Sequence, residues 1–109
     1  MRIASIMKLF PGCEAEYRRR HDELWPELAE HLSSVGISDY SIFLDTESLQ
    51  LFAVFDAPES FEPSQVSNHP VMQRWWDHMA DIMETQPDSN EPLQRPLTEV
   101  FQFNRPGVG

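Results

Sequence analysis

The sequence predicts an α+β fold of four strands and two helices in the order βαββαβ. Three observations carry this. Two stretches repeat their apolar residues at steps of three and four, as helices do. Four shorter stretches are apolar at the two-residue period of strands or as near-continuous runs. Glycine and proline clusters separate them.

Residues 2–9 set Ile3, Ser5, Met7 and Leu9 against Arg2, Ala4, Ile6 and Lys8, a strand apolar on both faces, and Pro11-Gly12 ends it. From residue 14 to residue 35 the period turns helical through Tyr17, His21, Leu24, Leu28, Leu32 and Val35. Pro26 interrupts that pattern and predicts a kink or a fresh helix start, because it lacks the N–H and clashes with the preceding turn. Gly36 closes the helix.

Residues 37–44 read as a second strand with Tyr40, Ile42 and Leu44 on one face, and 49–55 as a third, paired to it as a hairpin across 45–48. The stretch 58–69 is broken by prolines, with room for one short helix. The second long helix is expected over 71–83, with Asn68 or His69 as cap and Pro70 in its first turn. An extended connection over 85–96 leads to a last strand at 97–103. One ferredoxin-like domain over 1–104 and a tail at 105–109 result. Two helices cover only one face of such a sheet, so the other predicts a homodimer formed sheet to sheet.

Composition narrows the partners. The chain has 109 residues and a formal charge of −10, which repels phosphate backbones and makes nucleic acid an unsuitable partner. No apolar run reaches the ~20 residues of a membrane span, and the N-terminus reads as a strand, not a secretion signal. Cys13 is the single cysteine, so no internal disulfide can form, and a reducing, cytoplasmic location is expected.

Tyr17, His21 and Trp25 fall at i, i+4 and i+8, along one side of a helix. Tyr40 lies on the inward face of its strand. Trp75 and Trp76 diverge by ~100° around their helix, so one can pack while the other lines a cavity. Each feature alone also fits ordinary core packing. The four histidines have no metal-ligand spacing, and no nucleotide or acyl-enzyme motif occurs. Arg18, Arg19 and Arg20 read as a solvated face, paired at i,i+4 as Glu14–Arg18 and Glu16–Arg20. A pocket holding these aromatics would suit a neutral polyhydroxylated ring: indole faces cover its C–H side and hydroxyls bind its rim.

Five phrases together resemble the L-rhamnose mutarotase family. They are YRRRHDELWPEL at 17–28, YSIFLD at 40–45, QRWWDHMADIM at 73–83, QPD at 86–88 and LTEVF at 97–101. The resemblance implies a dimeric α/β barrel of ferredoxin-like chains that interconverts the anomers of L-rhamnose or a related 6-deoxyhexose such as L-fucose, with no metal and no cofactor. It implies His21 as the proton donor, with Tyr17, Tyr40, Trp75 and Trp76 contacting the sugar. Ring opening would then have His21 protonate the ring oxygen while Tyr17 or Tyr40 holds or relays the anomeric proton. Gln86 and the 89–96 connection depart from the family pattern at the edge of that pocket. Two other readings share the fold: a cofactor-free monooxygenase or haem-binding barrel enzyme, and a non-catalytic sugar-binding module.

Overall fold

A computed structural model describes residues 1–103, and the tail expected at 105–109 lies outside them. The elements are β1 (Arg2–Lys8), α1 (Glu14–Asp22), α2 (Pro26–Ser34), β2 (Ser38–Leu44), β3 (Gln50–Asp56), α3 (Pro63–Ser67), α4 (Pro70–Met79) and β4 (Arg95–Leu97). They build an antiparallel sheet of order β2-β3-β1-β4, the ferredoxin-like arrangement. Alternation decides which side chains meet the helices. Met7 and Leu9 of the first strand region and Leu51 and Ala53 of β3 join Tyr17, Leu28, Val71, Trp75 and Met79 in one core. Leu9, Leu28, Leu51, Val71 and Met79 are fully enclosed, each worth roughly 1.5–3 kcal/mol over exposure.

Pro26 starts a fresh helix. The first helix ends at Asp22, Trp25 takes an extended backbone, and Pro26 occupies the first turn of α2, where its missing N–H costs nothing. The helix expected over 14–35 is therefore two. His69 caps α4, its Nδ1 accepting from the Val71 N–H at 3.0 Å. That helix stops at Met79 and not at Met83. Ile82 and Met83 stay buried because the chain turns back beside the sheet, where the Phe10 N–H donates to the Ile82 carbonyl and Leu9 bridges Met83. The short helix in 58–69 is α3, closed by a Glu62–Gln65 capping box.

Two expectations fail near the C-terminus. The connection over 85–96 is not simply extended. It doubles back on itself, with the Gln86 N–H donating to the Glu91 carbonyl and the Leu93 N–H to the Glu84 carbonyl. The last strand is Arg95–Leu97, paired with Ala4–Ile6, rather than 97–103. Leu97 lies opposite Ala4 and β1 starts at Arg2, so the register leaves nothing on β1 to pair beyond residue 99. Val100, Phe101 and Phe103 are left largely exposed.

Between Ser38 and Ser41 the pairing of β2 with β3 slips by one residue, a bulge in which Asp39 takes a left-handed backbone at φ 51°. Gly36, at φ +89°, has no room for a side chain, since a Cβ there would stand 2.7 Å from the Pro58 ring. The helix-free face of the sheet carries the row Phe43–Phe52–Ile6 and, beside it, Val54–Ala4–Leu97. Phe43 is 64 % exposed there.

Candidate active site

The first helix presents Tyr17 and His21 on successive turns, their rings 4.3 Å apart and tilted by 30°. From α4, Trp75 comes edge-on to the His21 ring at 5.4 Å and 87°. Trp75 is 6 % exposed, whereas its neighbour Trp76 is only half-buried. The pair thus splits between packing and lining, as helical divergence requires, although both reach the cleft. Tyr40 enters from β2, stacked on Phe55 at 5.1 Å and 16°.

All five sequence-derived residues, Tyr17, His21, Tyr40, Trp75 and Trp76, line one cleft of about 1210 Å³ between the helices and the sheet. The same five also line a second recess of about 80 Å³, backed by Met7, Ile42, Met79 and Pro92. Trp25, the third member of the helical series, stands behind Trp75 at 5.1 Å and stacks loosely with His78 at 5.4 Å. It braces the site without lining it.

The protonation states follow from contacts. His21 Nδ1 lies 3.0 Å from the Tyr17 carbonyl oxygen, which can only accept, so Nδ1 carries the proton. The lone pair then sits on Nε2, the nitrogen free to meet a ligand. Burial pushes the His21 pKa below its usual value, more than the Tyr17 carbonyl and Asp22 push it up. The imidazole is neutral at pH 7. Burial, reinforced by Tyr40, raises the Tyr17 phenol well above its ordinary range. Tyr40 is 44 % accessible because it opens on the cleft. Desolvation by the surrounding protein raises its pKa too. Both phenols keep their protons and can donate.

Further polar groups line the cleft that sequence reasoning missed. Ser5 donates to Gln94 Oε1 at 3.3 Å on the sheet, and Glu91 comes from the doubled-back loop. Ser5 looked like a plain strand residue, and Glu91 and Gln94 fell in a segment without periodicity, so nothing local marked them. Among the described residues, no three His, Cys, Asp or Glu side chains converge as a metal site would require. One neutral base, two phenolic acids, indole faces and a polar rim form a site suited to proton transfer on a neutral, hydroxyl-bearing ring.

Fold and cleft together define a ferredoxin-like protein whose cleft gathers one imidazole, two phenols and two indoles. Comparison with known proteins is specific. The family model for L-rhamnose mutarotase matches residues 2–103. An L-rhamnose mutarotase of Jannaschia sp. (strain CCS1) is 59 % identical over 102 residues, 94 % of this chain and 97 % of that protein. One from Flavobacterium johnsoniae is 52 % identical over 104 residues, 95 % of this chain and 96 % of the relative. The crystal structure of L-rhamnose mutarotase from Formosa agariphila superposes with a TM-score of 0.86 at 43 % identity, covering 95 % of this chain and 99 % of that one. A dimeric ferredoxin-like protein from an uncultured marine organism shares the fold at a TM-score of 0.58 and 13 % identity, over 96 % of this chain and all of that one. This chain belongs to the L-rhamnose mutarotase family, whose members are isomerases that interconvert anomers.

Proposed function

We propose that this protein interconverts the α and β anomers of L-rhamnose by general acid–base opening and reclosure of the hemiacetal ring, with no cofactor. The observation that carries the mechanism is the His21 Nδ1–H bond to the Tyr17 carbonyl, which leaves a neutral imidazole with its Nε2 lone pair open to a ligand. A neutral imidazole takes a proton before it can give one. The anomeric O1–H proton passes to His21 Nε2, the C1–O1 bond becomes a carbonyl, and the C1–O5 bond breaks with its electron pair on O5. Tyr17 or Tyr40 supplies the proton that O5 then needs. The C1–C2 bond rotates, O5–H adds to the other carbonyl face, and the protons return. This reading exchanges the two proton-transfer roles expected from the sequence, because the hydrogen bond favours His21 as acceptor first.

Trp75 and Trp76 hold the ring's C–H face and its methyl group, and the recess they border is apolar on its far wall. General acid–base help contributes typically ~10²–10⁴-fold. That suffices for a reaction water already performs. The test is saturation-transfer NMR at the anomeric protons. Exchange should accelerate for L-rhamnose and less for L-fucose. Equal rates would remove the substrate assignment. Tight binding without acceleration would favour a non-catalytic sugar-binding module, and a coloured or haem-binding preparation the other barrel enzymes.

The protein works as a homodimer, with the Phe43–Phe52–Ile6 row and the exposed aromatics of 98–103 as the surfaces a second copy covers. Sedimentation should give twice the chain mass, and Phe43→Asp should shift it toward the monomer. A wild-type chain that sediments as a monomer would sink the assignment. The lone Cys13 supports a cytoplasmic location, and one domain spans 1–104.

A further inference from the structure

We infer that Arg20 is a positioning residue for this reaction. It clamps the helix bearing Tyr17 and His21 to the end of the helix bearing Trp75 and Trp76. The inference rests on the proposed role of His21.

The three consecutive arginines look alike in sequence but are not equivalent in the fold. Arg19 pairs with Glu16 and Glu23 on its own helix surface. The expected Glu14–Arg18 ion pair is absent among the described residues, whereas Glu16–Arg20 forms at 2.7 Å. Arg20 alone crosses to another element. Only 11 % of its side chain is exposed. Its Nη1 donates to the His78 carbonyl at 2.6 Å and to Asp81 Oδ1 at 2.8 Å, and its Nη2 to Asp81 Oδ2 at 3.3 Å. Nε donates to Glu16 Oε2 at 2.7 Å, which holds the guanidinium from behind. Every nitrogen of the planar fork is engaged, a geometry an ammonium cannot copy.

The location gives this clamp its consequence. The fourth helix ends at Met79, so the His78 carbonyl is one of the last-turn acceptors left without a helical partner, at the negative end of the helix dipole. Arg20 immediately precedes His21. Across the same helix pair, His21 meets Trp75 at 5.4 Å, and His78, whose carbonyl the guanidinium holds, stacks on Trp25 behind Trp75. The clamp and the aromatic contacts therefore close one ring of interactions joining α1 to α4 through His21, Trp75, Trp25 and His78. Asp81 is largely exposed, so solvent screens what this pair adds to folding. Its effect falls on where His21 sits relative to the indole wall. Small displacements of a reacting group cost rate far more than they cost stability.

The experiment measures anomer exchange of L-rhamnose at several sugar concentrations for Arg20→Lys, Asp81→Asn and the double variant, well below their melting temperatures. Arg20→Lys keeps the charge and stem but loses the fork. The expected result is a fall in kcat on the order of tenfold, with KM changed less than about twofold. Asp81→Asn should lose less, and the double variant no more than Arg20→Lys alone, since both cut one linkage. A merely structural role predicts instead that activity follows the folded fraction, with kcat per folded molecule intact. That result, or a folded Arg20→Lys with wild-type kcat, overturns the inference. Should Arg20→Lys fail to fold, Asp81→Asn with undiminished kcat overturns it equally. If the wild-type protein accelerates nothing, the reading of His21 fails and this inference falls with it.

Discussion

Replacing His21 with alanine should slow anomer exchange by about 10²–10⁴-fold while the protein stays folded. The reason is chemical. In the proposed mechanism His21 is the neutral base, with its proton held on Nδ1 by the Tyr17 carbonyl at 3.0 Å. Alanine leaves the phenols of Tyr17 and Tyr40 as acids with no base to match. The ring is half-buried, so its loss removes contacts with Tyr17 and Trp75 without emptying the core. Circular dichroism of the variant should match wild type. Undiminished exchange in His21→Ala would end the assignment.

The same residue sets the pH dependence. Burial lowers the His21 pKa, so the acidic limb of kcat/KM should have its midpoint below the ordinary histidine value of about 6.5. Activity should be lost as pH falls through that point, since the protonated ring cannot accept. The phenols are raised, so no loss from their ionisation should appear until pH exceeds the ordinary tyrosine range near ~10. Stability follows the same signs. The unfolded chain binds the His21 proton more readily, so this contribution is complete above about pH 6.5 and is lost as pH falls toward the folded value. The raised tyrosines contribute below ~10 and lose that contribution as pH climbs past it. An acidic limb centred at or above the free histidine value would contradict the neutral-base reading.

Trp75→Ala should cost about 3–5 kcal/mol of folding free energy and abolish exchange as well. Trp75 is 6 % exposed and touches His21, Trp25 and His78 at centroid distances of 5.4, 5.1 and 5.6 Å. Truncation opens a cavity between α1 and α4 and frees the His21 ring from its wall. Urea unfolding should show a lower midpoint at similar slope. Trp76→Ala is the contrast. The half-buried Trp76 also lines the recess, so its removal should mainly raise KM and cost less stability. If the two variants lost equal stability, the division between a packing and a lining tryptophan would be wrong.

Much of this protein is legible along the chain, because periodicity and turn chemistry are local. The steps of three and four through Tyr17, Leu28, Val71 and Met79 report faces that each helix must bury wherever it lies. Pro26, Gly36 and Pro70 mark boundaries through constraints on their own backbone. The five site residues could be named for a related reason. Spacing sets Tyr17, His21 and Tyr40 on inward faces, the family phrases add both tryptophans, and one recess gathers all five.

What remained for the tertiary structure depends on groups distant in sequence. Apolar spacing alone could not distinguish a helix reaching Met83 from one stopping at Met79 with a buried return beside Leu9, since both bury the same side chains. The last strand's position rests on its register with β1, where Ala4 meets Leu97 and Ile6 meets Arg95, a pairing between the chain's two ends that no local pattern encodes. The tautomer of His21 depends on a carbonyl one turn away and on burial by other elements. Arg20 is indistinguishable from Arg18 and Arg19 until α4 ends beside it, 58 residues on, and offers a carbonyl and a carboxylate. Local chemistry chose the elements and their inward faces, while long-range packing and hydrogen bonding chose the protonation, the clamp and the strand edge.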